Sequence, residues 1–203
     1  MKDIRAVIFD FGGVICNFDL RLFLSGIAPY SPHTVDELAA GVHLSMDAAR
    51  KYETGLISSD EFYHAVSLNA DLKIKREEFR KAYTNIFSPI DTTFSLIRQL
   101  HGAYTLGLLS NTSEWHFQYG IRTVQVFPLF TTVTLSFEVK SLKPDRPIYD
   151  DALAKLGLPA EACAYIDDVQ ENVDAGRALG LHAIRYTTHE ALLAELQGCG
   201  VRV

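Results

Sequence analysis

Short apolar runs that stop on polar residues, with helical periodicity between them, constrain this chain more than any other feature. Residues 5–9, "RAVIF", read as a buried strand that ends on Asp10 and is punctuated at once by Gly12 and Gly13. Similar runs are "YTLGLLSN" at 104–111, "CAYIDD" at 163–168 and "HAIRY" at 182–186, with "TTVTLS" at 131–136 as a shorter strand. Between them lie amphipathic stretches. "DTTFSLIRQL" starts at Asp91, read as its cap, and spaces Phe94, Ile97 and Leu100 by three. "RPIYDDALAKLG" stops on Gly157 and "QENVDAGRALG" on Gly180. Continuous rather than alternating apolar strands, separated by helices, predict an α/β fold: a doubly wound, mostly parallel sheet covered on both faces.

Residues 17–88 break that rhythm, and only helices are predicted there. "DLRLFLSGI" puts Leu20, Phe23, Leu24 and Ile27 on one face. Thr34–Glu37 and Ser58–Glu61 have the capping-box form, in which a hydroxyl and a Glu three residues on satisfy each other's backbone N–H groups. "REEFRKAYTNIF" gathers Phe79, Ala82, Tyr83 and Ile86. The predicted organisation is a core of residues 1–16 and 89–203, interrupted by a helical insertion at 17–88.

Bulk properties narrow the partners. A formal net charge of −6 over 203 residues argues against nucleic acid or an anionic membrane as partner. Three cysteines without a CxxC spacing predict no disulfide framework and a reducing, cytoplasmic setting. The opening "MKDIRAVIFDF" does not read as a signal peptide, and no run reaches the ~18 apolar residues of a membrane span. Nothing in the sequence selects between monomer and homodimer.

The predicted strands end on Asp10, on Ser110–Asn111 and on Asp167–Asp168. In open parallel sheets ligands sit outside the carboxyl ends of the strands, so one rim would collect these residues. Lys143, in the Pro-punctuated loop "SLKPDRPIYD", is expected to face the same rim. Asp10, Asp167 and Asp168 offer oxygen ligands suited to Mg²⁺. Without a cation, like-charge repulsion would raise the pKa of at least one of them. The Ser110 hydroxyl, the Asn111 amide, the N–H groups of Gly12 and Gly13 and the Lys143 ammonium add donors. Donors around a metal suit a phosphoryl group, and a carboxylate is a competent nucleophile toward phosphorus.

"FDFGGV", "LLSNTS", "SLKPDRPIYD" and "YIDDVQENV" resemble, in order, the motifs of the haloacid dehalogenase-like hydrolases. The likeness runs from Val7 to about Gly180. The insertion falls where that family carries a helical cap, and "YETGLISSDEFYHAV" is similar to the cap of the branch with sugar-phosphate phosphatases and the phosphatase domain of epoxide hydrolases. The resemblance implies a Rossmann-like core and a Mg²⁺-dependent phosphatase acting on a small phosphorylated metabolite, such as a sugar phosphate. Asp10 would be the nucleophile and a metal ligand, and the carbonyl of Gly12 a second ligand. Asp168 would bind the metal directly and Asp167 would assist. Ser110 and Lys143 would hold the phosphoryl oxygens, with Lys143 also restraining the charge of Asp10.

One departure stands out. The family's usual phosphatase has a second Asp two residues after the nucleophile, which protonates the leaving group and then activates water. This chain has Gly12 there. General acid–base assistance is worth roughly 10²–10⁴-fold, so a slow enzyme, a good leaving group or a borrowed acid is expected. His33, His64 and His116 are candidates for the last. Competing functions are a non-catalytic phospho-ligand-binding protein, a phosphomutase, disfavoured by the same missing acid, and a metal-free dehalogenase, disfavoured by the Asp167–Asp168 pair. The loops near Tyr30–His33 and Gly55–Ser58 are expected to choose the substrate.

Overall fold

A computed structural model describes residues 3–41 and 46–203. Residues 42–45 of the predicted insertion lie outside the described residues. The first strand, β1 (Ala6–Phe9), is buried along its whole length because both its neighbours are strands and both its faces are covered. A short β2 (Cys16–Phe18) follows the glycine turn. Among the described residues, five α-helices come next: α1 (Leu20–Ile27), α2 (Val35–Ala40), α3 (Met46–Glu53), α4 (Ser59–Asn69) and α5 (Arg76–Thr84). The chain returns through β3 (Phe87–Pro89), which pairs antiparallel with β2. This two-stranded ribbon corrects the helices-only expectation for 17–88. Its strands are three residues each, too short to carry a readable alternation.

From there strand and helix alternate: α6 (Asp91–Leu100), β4 (Thr105–Ser110), α7 (Glu114–Tyr119), β5 (Thr132–Leu135), α8 (Ser136–Val139), α9 (Arg146–Leu156), β6 (Cys163–Asp167), α10 (Gln170–Ala178), β7 (His182–Arg185) and α11 (His189–Gly198). The five-stranded sheet has the order β5-β4-β1-β6-β7, and every pair is parallel. On one face Val7, Phe9, Leu108 and Ile166 pack with Phe94, Ile97, Leu192 and Leu196 of α6 and α11. On the other, Ala6, Ile8 and Tyr165 pack with Ile148 and Tyr149 of α9 and Val173 of α10. This is the predicted doubly wound, Rossmann-like fold.

Local rules hold with two adjustments. Thr34 and Ser58 form complete capping boxes, and Gly157 ends α9 in the left-handed conformation at φ 63°. Asp91 is the first residue of α6 rather than its cap; Ile90 precedes it without a side-chain cap. Leu20 is 42% exposed, while Phe23, Leu24 and Ile27 of the same helix are buried.

Helices α1 to α5 close over their own apolar cluster, built from Phe23, Ile27, Phe62, Phe79 and Tyr83, and this cluster also takes in Trp115 from α7. Several hydrogen bonds join the two groups of elements. Ser59 Oγ donates to Glu114 Oε2 at 2.6 Å, and Trp115 N–H donates to Tyr52 Oη at 3.1 Å. His116 Nε2 bonds the Tyr83 carbonyl at 2.9 Å while its ring stacks on that of Tyr83. Among the described residues, no helix is long and apolar enough to cross a membrane.

Candidate active site

β1 is the middle strand of the sheet, so the residue after it stands at the centre of the carboxyl rim. That residue is Asp10, whose N–H is tied to Ile166 O of β6 at 2.9 Å. Neighbouring strands on either side end on Ser110 and Asp167. The topology thus brings residues far apart in sequence to one place.

Lys143 sits among them and is buried. Its Nζ lies 2.7 Å from Asp10 Oδ1 and 2.7 Å from Asp167 Oδ2, and donates to Leu109 O at 3.3 Å. Asn111 holds the Lys143 backbone from both sides: its Oδ1 accepts from Lys143 N at 2.8 Å and its Nδ2 donates to Lys143 O at 3.0 Å. The side chain of Asn111 therefore braces the lysine loop. The Ser110 hydroxyl makes only a long bond to Asn111 O at 3.4 Å and stays available to a ligand.

The two acids after β6 differ. Asp167 is saturated: Lys143, Tyr165 Oη–H, Val169 N–H and Asn172 Nδ2 all donate to it. Asp168 is half-buried and faces the glycine turn. Gly13 has φ +70°, and a Cβ built there would run into the Asp168 carboxylate. Glycine is required at 13 by conformation and by this close approach. Gly12 carries no such demand. A Cβ there would meet only the Phe18 ring, at 3.4 Å, which lies over the spot where a side chain at 12 would project.

The electrostatics are those of crowded acids. Burial, opposed by the Lys143 ammonium and reinforced by the Asp167 carboxylate, raises Asp10 from 3.8 to about 7. Burial and then Asp167 also raise Asp168. Burial works against the charge of Lys143, but Asp10 and Asp167 outweigh it and hold the lysine above its ordinary value. One ammonium faces three carboxylates. Their ligand atoms lie within 4.8 Å of one another, so the set fits a divalent cation bound through oxygen.

The remaining sequence candidates lie elsewhere. His116 is buried with its ring nitrogen bound to the Tyr83 carbonyl, and burial lowers it from 6.5 to about 4, so it is neutral. His33 and His64 are exposed on the helical insertion. Sequence reasoning missed Tyr165, whose hydroxyl donates to Asp167; inside an apolar strand it carried no mark.

An open parallel sheet with its polar cluster at the carboxyl ends of the middle strands defines an α/β ligand-binding fold of the doubly wound class. Within that class the chain belongs to the haloacid dehalogenase-like hydrolases, whose family model matches residues 4–180. It is 24% identical over 95% of its length to drimenol cyclase drtB of Aspergillus calidoustus, of which it spans 36%. It is 25% identical to the sesquiterpene phosphatase astK of Aspergillus oryzae, covering 96% of this chain and 97% of that one. Among solved structures, the family enzyme bt-2542 of Bacteroides thetaiotaomicron superposes with a TM-score of 0.81 at 23% identity, covering 92% of this chain and 95% of that one.

Proposed function

We propose that this chain is a Mg²⁺-dependent phosphomonoester hydrolase that works through a phosphorylated Asp10. The observation that carries this reading is the buried Lys143 bridging Asp10 and Asp167 beside Asp168, at the meeting point of three strand ends. Two comparisons support it: one relative is named a phosphatase, and bt-2542 has been crystallised with magnesium and inorganic phosphate.

In this reading Asp10, Asp168 and the Gly12 carbonyl would hold a magnesium ion, with Asp167 assisting. When bound, the ion neutralises the acids and draws charge from the phosphoryl oxygens. The residues of the chain do the rest. Phe11 N–H donates to Asp10 Oδ1 at 2.7 Å and Lys143 bonds the same oxygen, so the carboxylate is turned with one oxygen restrained and the other free to attack phosphorus. Lys143 and the Ser110 hydroxyl receive phosphoryl oxygens, and the N–H groups of the glycine turn add donors. Asn111 and Tyr165 are positioning residues: the first fixes the lysine loop, the second fixes Asp167. Residues 17–88 act as the cap over this rim and exclude water during transfer. The substrate is a small phosphorylated metabolite, and the insertion rather than the rim distinguishes one from another.

The test is hydrolysis of p-nitrophenyl phosphate with and without Mg²⁺, next to an Asp10→Asn variant. Activity that needs the metal and falls to background in the variant is expected. Equal rates for the two proteins would refute attack by Asp10.

A further inference from the structure

Position 12 has no acid and His116 is bound to a carbonyl, yet a carboxyl group does hang from backbone fastened to the segments that follow β4 and β5. It belongs to Glu53, the last residue of α3. The residues around it are fastened to the core at successive points. Tyr52 Oη accepts from Trp115 N–H at 3.1 Å. The Glu53 carbonyl accepts from Ser136 Oγ at 2.6 Å, and Ser136 Oγ in turn accepts from Thr112 N–H at 2.8 Å. The Gly55 carbonyl accepts from Lys140. Ser136 directly follows β5 and Thr112 lies two residues beyond Ser110, so Glu53 is anchored above the carboxyl ends of β4 and β5. Thr54 and Leu56, close to it in the chain, line a cleft of about 840 Å³ together with Ser141 and Leu142, which precede Lys143.

The side chain is poised rather than engaged. Its carboxyl makes no hydrogen bond with any described side chain, and the residue is half-buried. The charges that act on it and the groups it acts on are few: Arg50 on its own helix, and the hydroxyl of Tyr83, which reaches Ser113 Oγ at 3.3 Å. Burial raises its pKa, with Arg50 opposing, so the protonated form is favoured more than in an exposed Glu.

We propose that Glu53 supplies the proton transfers that position 12 cannot. The idea rests on the phosphatase reading above. As Asp10 forms its bond to phosphorus and the bond from phosphorus to the ester oxygen breaks, the Glu53 proton passes to that oxygen and the alcohol leaves neutral. Water then attacks phosphorus, the bond to Asp10 breaks, and Glu53 takes the proton of the water. The acid is thereby delivered by the cap, not by the nucleophile's own loop.

The experiment compares wild type with Glu53→Gln on two esters with Mg²⁺: glycerol 2-phosphate, whose alkoxide leaves poorly, and p-nitrophenyl phosphate, whose phenolate needs no proton. The expected loss in kcat/KM on the alkyl ester is roughly 10²–10⁴-fold. On the nitrophenyl ester the first turnover should persist within a few-fold. It should appear as a burst of phenolate before a slow steady state, because the phosphorylated Asp10 then lacks its base. Circular dichroism reports whether the variant is folded. Should it not be, Glu53→Asp carries the test, with the alkyl ester again slowed more than the nitrophenyl ester. Equal losses on the two esters, or none on either, would overturn the role of Glu53. A wild-type protein inert toward both would instead sink the phosphatase reading, and this proposal with it.

Discussion

At the scale of single residues, the two glycines of the first turn answer to different constraints. Gly12 has open backbone and an aromatic neighbour; Gly13 is held at φ +70° against Asp168. Placing an L-residue in the left-handed region costs roughly 1–2 kcal/mol. At Gly157, with φ +63° and nothing within 4 Å of a built Cβ, alanine meets that cost alone. At Gly13 it must also push the Asp168 carboxylate aside. Gly13→Ala is therefore expected to destabilise more than Gly157→Ala, and only Gly13→Ala to weaken Mg²⁺ binding. Thermal melts and calorimetric titration of the metal measure these separately. Equal metal affinity in the two variants would mean that Asp168 is not a ligand.

At the scale of elements, α7 is the clasp between the core and the helical insertion. It offers Trp115 to the insertion's apolar cluster and His116 to the Tyr83 carbonyl. Burial pushes His116 down from its ordinary 6.5 to about 4, so the folded protein resists protonation. In the interval between these values the unfolded chain binds more protons. Stability therefore rises with pH there, and what His116 contributes is complete above about 6.5 and lost as pH falls toward 4. A separation of this size corresponds to about 3 kcal/mol. Subtracting the stability–pH curve of His116→Gln from that of wild type, in urea melts, isolates it from the buried carboxylates. A flat difference curve would mean that His116 is not held neutral. The elements of the sheet were legible in sequence because buried parallel strands leave continuous apolar runs ending on Asp10, Ser110 and Asp167. The β2–β3 ribbon was not, since three-residue strands have no period. Glu53 was not either. It closes the polar helix "MDAARKYE", where a half-buried acid has the same sequence signature as one in solvent.

For the molecule as a whole, the insertion and the sheet share one side chain that reports on both. Trp115 is the sole tryptophan of the chain, 4% exposed, with the Arg76 guanidinium 5.0 Å from its ring. It leaves the sheet's α7 and completes the insertion's core, so separating the two groups of helices would expose it. The rim beneath has the opposite character. It confines three carboxylates against one ammonium, and burial with mutual repulsion raises Asp10 and Asp168. A cation that binds only the folded state relieves this repulsion. At a concentration 100 times its Kd it adds about 2.7 kcal/mol. For a chain of this length each kcal/mol moves Tm by about 2–4 °C, so Mg²⁺ should raise Tm by about 5–10 °C over protein kept in chelator. Asp168→Asn removes one charge from the crowd. It should leave the metal-free protein at least as stable as wild type while abolishing most of the magnesium shift. Trp115 fluorescence and far-ultraviolet circular dichroism should follow the same transition in each case, because the insertion borrows its core from α7. If magnesium shifted wild type and Asp168→Asn alike, the cation would be acting somewhere other than this rim. If the two signals moved at different temperatures, the insertion would be folding apart from the sheet it covers.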